Sequence, residues 1–145
     1  MKPIRTKLLR DGARIPTYGS EQAAGADLYA CIDQAVTIAP GESAWIPTGV
    51  AMELPEGYVG LVYARSSMGV KRGLAPANKV GVIDSDYRGE IRVVLHNHSK
   101  QAQCVEPDER VAQLVITPVI MPGFTVVDEL TDTQRSDKGF GSTGK

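Results

Sequence analysis

An all-β fold, sandwich or barrel-like, is predicted by three features of this chain of 145 residues. Its 15 glycines and 9 prolines are spread along the whole length, as expected for many short strands joined by turns. Between the turn signals lie runs rich in β-branched and aromatic residues. None of those runs repeats an apolar residue at i, i+3, i+4 and i+7 for long enough to make one face of a packed helix.

Taken in chain order, AVTI (35–38) is closed by the Pro40-Gly41 turn. AWIPTGVAMEL (44–54) holds the Thr48-Gly49 turn signal within it and meets Pro55-Glu56-Gly57 at its end. YVGLVYA (58–64) follows, and SSMGVKRG (66–73) has room for only a turn or two of helix. NKVGVID and EIRVVLHN (90–97) place two apolar strands on either side of a turn. RVAQLVITPVIM (110–121) and FTVV (124–127) flank the Pro122-Gly123 turn and complete a single β domain over residues 1–127. From Asp128 the text changes to DELTDTQRSDKGFGSTGK, with one leucine and one phenylalanine. Such a segment cannot bury enough apolar surface to offset its ordering entropy, so 128–145 is expected to be a mobile arm.

Composition narrows the partners. Hydrophobic residues make up 42% and charged residues 23%, an ordinary globular balance, and the formal net charge is −1. With no cationic excess, neither general nucleic-acid binding nor a membrane surface is expected. Arg5, Lys7 and Arg10 cluster locally and read either as a solvated edge or as a binding patch. Cys31 and Cys104 lack any C-x-x-C spacing and are expected to be free thiols in a reducing compartment. The opening MKPIRTKLLRDG has no apolar core of signal length, and no run reaches the ~18 apolar residues of a membrane span. A cytoplasmic location is expected.

Several stretches could carry chemistry. In AGADLYA (24–30), Asp27 reads either as a turn residue satisfying backbone amides or as a partly buried carboxylate facing a metal or a water. ARSSMGV (64–70) puts Arg65, Ser66 and Ser67 where a strand gives way to a short helix, which suits an anion site or a plain N-cap. In NKVGVIDSDYRGEI (78–91), Asp84 and Asp86 stand around a turn closed by Tyr87, Arg88 and Gly89. That is either a structural hairpin turn or a site. Period-2 alternation puts Asp84 on the face of Val80 and Val82 and points it inward, and an ionised aspartate at a strand end can act as a general base. His96 and His98 read as surface histidines, since no third metal ligand is in view. Gln113 is a polar residue in the otherwise apolar RVAQLVI (110–116) and needs a partner. The final GFGSTGK has the G-x-x-x-x-G-K spacing of a phosphate loop, yet a Walker-type site also needs a strand before it and a helix after it.

In this order, AGADLYA, ARSSMGV, GVIDSDYRGEI, RVAQLVI and RSDKGFGSTG resemble the five motifs of the homotrimeric dUTPase family, the deoxyuridine triphosphate nucleotidohydrolases. The resemblance spans residues 24–144. It implies a distorted jelly-roll-like β subunit with one short helix, and a homotrimer whose active sites lie between subunits. It also implies that the glycine-rich arm closes over a site built by neighbouring copies, which explains a phosphate loop with no helix of its own. The implied reaction turns dUTP and water into dUMP and pyrophosphate, limiting uracil in DNA and supplying dUMP for dTMP synthesis.

Carried over by resemblance, Asp84 orients and deprotonates the attacking water, and Tyr87 packs under the deoxyribose. Asn78, with the backbone of Gly81, Val82 and Ile83, reads the uracil edge, and Phe140 lies over the ring. Arg65, Ser66, Ser67 and Gln113 contact phosphate, joined by Arg135, Gly141, Ser142 and Thr143 from the arm. Asp27 is tied through water to a Mg2+ ion held mainly by the triphosphate. The chain departs from the family arm, R-G-x-G-G-F-G, at Ser136 and Lys138, which replace glycines and remove conformational freedom. EPDE before RVAQLVI and ARSSM in place of R-S-G are further departures. The related dCTP deaminase keeps a catalytic glutamate on the strand after the I-D turn, where this chain has Val94, and lacks such an arm. A third reading is a trimeric β protein that binds nucleotide without turnover.

Overall fold

The computed structural model describes residues 3–139. Its strands are β1 (Arg5–Leu8), β2 (Thr17–Tyr18), β3 (Ala26–Tyr29), β4 (Val36–Ile38), β5 (Ser43–Pro47) and β6 (Val50–Glu53). They continue with β7 (Tyr58–Tyr63), β8 (Leu74–Pro76), β9 (Gly81–Ile83), β10 (Arg92–Asn97), β11 (Gln103–Val105) and β12 (Arg110–Pro118). The one helical element among the described residues is a wide turn, Ser67–Lys71, of π-type hydrogen bonding. The expected short helix over 66–73 is therefore a single five-residue turn.

A five-stranded sheet runs in the order β2-β3-β12-β7-β9 and a three-stranded one in the order β5-β10-β8. The pairs β1-β6 and β4-β11 complete the set. All pairings are antiparallel, and the sheets do not close into one barrel. Alternation decides which side chains meet. Leu28, Ile46, Val62, Val93, Leu95 and Leu114 all project into one shared core. Leu95 is wholly buried, so its truncation to Ala carries the usual cost of about 2–5 kcal/mol for such a cavity.

AWIPTGVAMEL is split into β5 and β6 at its turn signal. The buried Thr48 hydroxyl donates to the Ile91 carbonyl at 2.6 Å, tying the corner to the base of β10. The strands beyond the expected runs, β1, β2, β3, β8 and β11, are only two to four residues long. Their existence depends on partners distant in sequence, as when β1 pairs β6 through Arg5 opposite Glu53. The basic cluster thus lies on and beside an edge strand, with Arg5 paired to Glu53 at 2.9 Å and Arg10 to Glu90 at 2.6 Å.

FTVV is not a strand. The last strand ends at Pro118, and Phe124 and Val126 are almost fully exposed, with no neighbouring strand of this chain to receive them. Cys31 and Cys104 are free thiols. No helix among the described residues is long and apolar enough to cross a membrane.

Candidate active site

The acid-bearing turn sits on a hairpin. β9 pairs with β7, Ile83 standing opposite Gly60 and Gly81 opposite Val62. A Cβ at Gly60 would come within 3.2 Å of Ile83 Cβ, so the glycine makes room for Ile83 to pack against the core. Ile83 takes the inward slot, and this reverses the expected facing: Val82 and Asp84 point outward, Val82 being 60% exposed. Asp84 opens onto two adjoining grooves. One, of about 700 Å³, lies between the hairpin and Leu54, Tyr58 and Val59. The other, of about 350 Å³, is walled by Tyr87, Trp45 and Arg92.

The turn is rigidly held. Tyr87 N–H donates to the Asp84 carbonyl at 3.1 Å, and the Tyr87 hydroxyl donates to the Glu90 carbonyl at 2.9 Å. A side chain at Gly89 would collide with that hydroxyl. Glu90, little exposed, anchors the hairpin to the body by accepting from Arg10 at 2.6 Å and from Gly49 N–H at 2.8 Å, and it pairs with Arg92 at 3.4 Å. At the other end of β9, Asn78 and Lys79 are exposed. The Asn78 carbonyl accepts from Val80 N–H at 2.8 Å, and Lys79 adopts φ +67°.

A second cluster forms where β7 ends. The buried Asp27 carboxylate on β3 accepts from Arg65 Nε at 2.7 Å on one oxygen and from Arg110 Nη1 at 3.3 Å on the other. Among the described residues its partners are these two arginines, a counter-ion role that neither reading of the stretch named. Arg65 also donates to Ser67 Oγ at 3.3 Å and to the Arg110 carbonyl at 3.4 Å. Ser66 makes no side-chain cap on the turn, and both serines are exposed. Gln113 finds the partner its burial requires: its amide donates to the Ala64 carbonyl at 3.0 Å. A Cβ at Gly25 would fall 2.7 Å from its Oε1, which explains the glycine there. Two guanidinium groups against one carboxylate leave this end cationic, ready for an anion.

Asn78, Gly81–Ile83, Asp84 and Tyr87 therefore share one hairpin, and Asp27, Arg65–Ser67 and Gln113 share one sheet end. Five residues of chain, roughly 16 Å when extended, separate Gly60 (opposite Ile83) from Arg65. Arg135 stands with neither group. It is exposed, and its Nε donates to the Lys138 carbonyl at 2.8 Å. Phe140, Gly141, Ser142 and Thr143 lie outside the described residues. Arg110 and Glu90 were not singled out from the sequence. The signal available for Arg110 was a cation at the mouth of the motif that contains Gln113, but its link to Asp27 exists only through β3–β12 pairing.

Fold and clusters together define a jelly-roll protein that sets a cluster of arginines and an exposed carboxylate on one sheet. The chain belongs to the dUTPase family, whose model, described as dUTPase, matches residues 11–144. It is 45% identical over 148 residues to the deoxyuridine 5'-triphosphate nucleotidohydrolase of Janthinobacterium sp. (strain Marseille), covering 100% of this chain and 99% of that one. To the protein of the same name from Hydrogenobaculum sp. (strain Y04AAS1) it is 46% identical, over 97% of each. Among solved structures, the Staphylococcus bacteriophage 80alpha dUTPase with dUPNHPP superposes with a TM-score of 0.86 at 31% identity, over 100% of both chains. A mutant dUTPase from phage phi11 of S. aureus, described for its coordination of a structural Mg(II) ion, gives 0.81 at 27% identity, over 90% of this chain and 100% of that one.

Proposed function

We propose that this chain hydrolyses dUTP to dUMP and pyrophosphate. The observation that carries the reading is the hairpin, on which an exposed carboxylate, Asp84, stands beside a locked aromatic ring, Tyr87. Kinship over the full length with proteins named deoxyuridine 5'-triphosphate nucleotidohydrolase supports it.

The backbone of Gly81, Val82 and Ile83 and the Asn78 amide read the uracil edge. That rejects cytosine through mismatched donors and acceptors and thymine through its methyl group. Tyr87 packs under the deoxyribose and leaves no room for a 2′-hydroxyl. Asp84 orients a water in line with the α-phosphorus and takes its proton as the new P–O bond forms. The bond from that phosphorus to the bridging oxygen breaks, and pyrophosphate leaves with the electron pair. Arg65, Ser66, Ser67 and Gln113 hold the phosphate chain, with Arg135, Gly141, Ser142 and Thr143 of the arm, while Phe140 covers the base.

Metal enters this reading as part of the substrate. Both Asp27 oxygens are taken by arginines, and no group of three His, Cys, Asp or Glu side chains able to hold an ion occurs among the described residues. Asp27 would reach Mg2+ carried on the triphosphate only through water, and the ion would supply neutralisation of charge on the leaving group. The distance between the Asp84 hairpin and the Arg65 cluster supports a homotrimer in which each site joins the hairpin of one copy to the arginines of another. The arm, 128–145, of a further copy closes the site against bulk water. In a cytoplasmic setting this activity limits uracil incorporation into DNA and provides dUMP for dTMP synthesis.

The test is incubation with dUTP or dCTP and Mg2+, following pyrophosphate and ammonia, with the solution mass measured in parallel. Pyrophosphate from dUTP and a mass of three subunits are expected. Ammonia from dCTP, or no turnover of either nucleotide, contradicts the reading.

A further inference from the structure

We infer that Arg72 and Glu109 are a positioning pair for the phosphate end of the site, holding the turn that carries Ser66 and Ser67 in place before any nucleotide arrives. The inference rests on the reading above of Arg65, Ser66 and Ser67 as phosphate ligands, and it names what aims them. The need arises in the turn itself. Five residues cannot sustain a helical turn alone, and Ser67–Lys71 has no side-chain cap. Its start is tied to the Arg65 carbonyl, which accepts from Met68 N–H at 3.0 Å and from Gly69 N–H at 2.8 Å. Its end is tied by Arg72.

The half-buried Arg72 spreads its donors over three segments of chain. Nε donates to Gln103 Oε1 at 3.3 Å, Nη1 to Met68 Sδ at 3.3 Å and to Glu109 Oε1, and Nη2 to the Cys104 carbonyl. A planar guanidinium can serve all of these at once, and a lysine ammonium cannot. Glu109 is fixed in turn. Its other oxygen accepts from Glu106 N–H at 3.0 Å, and its carbonyl accepts from Ala30 N–H at 2.8 Å. The next residue, Arg110, pairs with Asp27 at 3.3 Å, Asp27 holds Arg65 at 2.7 Å, and Arg65 donates to Ser67 Oγ at 3.3 Å. The path therefore closes on itself, from the turn through Arg72, Glu109, Arg110, Asp27 and Arg65 back to the turn. Around it three guanidinium groups meet two carboxylates, which leaves one positive charge for an anion. Arg72 is spent on Glu109 and acts through the serines and Arg65.

Two probes separate this role from a merely structural one: pyrophosphate, which engages only the phosphate end, and deoxyuridine, which engages only the hairpin. Arg72→Met and Glu109→Gln are each expected to weaken pyrophosphate binding, read by calorimetry, and to raise KM for dUTP by about tenfold, the equivalent of one lost hydrogen bond to a charged group. Their kcat and their deoxyuridine binding should stay close to the parent's. Arg72→Lys keeps the charge without the fork and should bind pyrophosphate as weakly as Arg72→Met. Pyrophosphate affinity kept in Arg72→Met, or deoxyuridine binding lost in step with it, overturns the inference alone. A parent that binds no pyrophosphate overturns it together with the phosphate-ligand reading. A parent that binds pyrophosphate and leaves dUTP intact contradicts the assigned reaction, and the variants' pyrophosphate affinities still decide the positioning role. Where the variants do not fold, hydrogen exchange of the native enzyme decides. Protection of residues 66–73 without ligand is expected, and free exchange there until pyrophosphate binds overturns the inference.

Discussion

Tyr87 can hold its hydroxyl against the Glu90 carbonyl only because residue 89 has no side chain. The colliding atom in a Gly89→Ala protein is the tip of a partly exposed ring, so the ring swings away and the backbone stays. The expected result is a melting midpoint near the parent's and a fall in the ratio of kcat/KM for dUTP over UTP, read from steady-state rates. The two thiols offer a pH test. Burial pushes the Cys31 thiol above its ordinary 9.0, with Glu90, Asp108 and Asp33 adding to the rise and Arg10 opposing it. Desolvation and the Glu106 carboxylate push Cys104 the same way. Only the thiolate alkylates, so iodoacetamide labelling at neutral pH should be slower than for a free cysteine and should climb only above the usual thiol range. The linked stability has a fixed sign. The folded form holds these protons more tightly, so that contribution is full below the unfolded thiol pKa and is lost as pH rises through the folded value. Ser136, one of the arm's departures from glycine, sits at φ +46°, a left-handed conformation that costs a non-glycine residue about 1–2 kcal/mol.

At the scale of elements, the cluster at the end of β7 depends on one carboxylate. Asp27→Asn leaves Arg65 and Arg110 facing each other without a counter-ion. Breaking a buried pair costs about 3–5 kcal/mol, and because Arg110 is half exposed the loss should be nearer about 2 kcal/mol, measured by urea unfolding. KM for dUTP should rise more than kcat falls, since Arg65 loses its fixed aim. The arm gives the complementary case. Residues 119–139 form no strand within the chain, so removing everything after Glu129 should leave β circular dichroism and assembled mass intact while crippling turnover. A truncated protein as fast as the parent would make the arm dispensable. The sequence made the longer strands legible, β10 above all, because its burial pattern is written in period two. It misjudged Asp84, because alternation tells which residues share a face but not which face meets the core. Ile83 and the space over Gly60 settle that. FTVV misled for a related reason: β propensity needs a partner strand, and this chain supplies none.

For the whole molecule, the all-β class could be read from turn spacing and the absence of helical periodicity, whereas the sheet order could not. β3 lies between β2 and β12, and β12 between β3 and β7, pairings set by contacts across most of the chain. The candidate site was legible as a set of motifs because each sits in a contiguous stretch. Its division into a hairpin cluster on β9 and an arginine cluster at the end of β7, with Asp84 at the far end of the β7–β9 pairing from Arg65, emerged only from the fold. That division is what the proposed sharing of a site between copies rests on. The most direct test of the central claim is pre-steady-state pyrophosphate release from dUTP by Asp84→Asn, with nucleotide binding measured on the same sample. Binding close to the parent's with turnover lowered by about 10²–10⁴-fold is expected for the loss of a general base. Turnover near the parent's rate would remove Asp84 from the reaction and with it the account of the hairpin as the catalytic element.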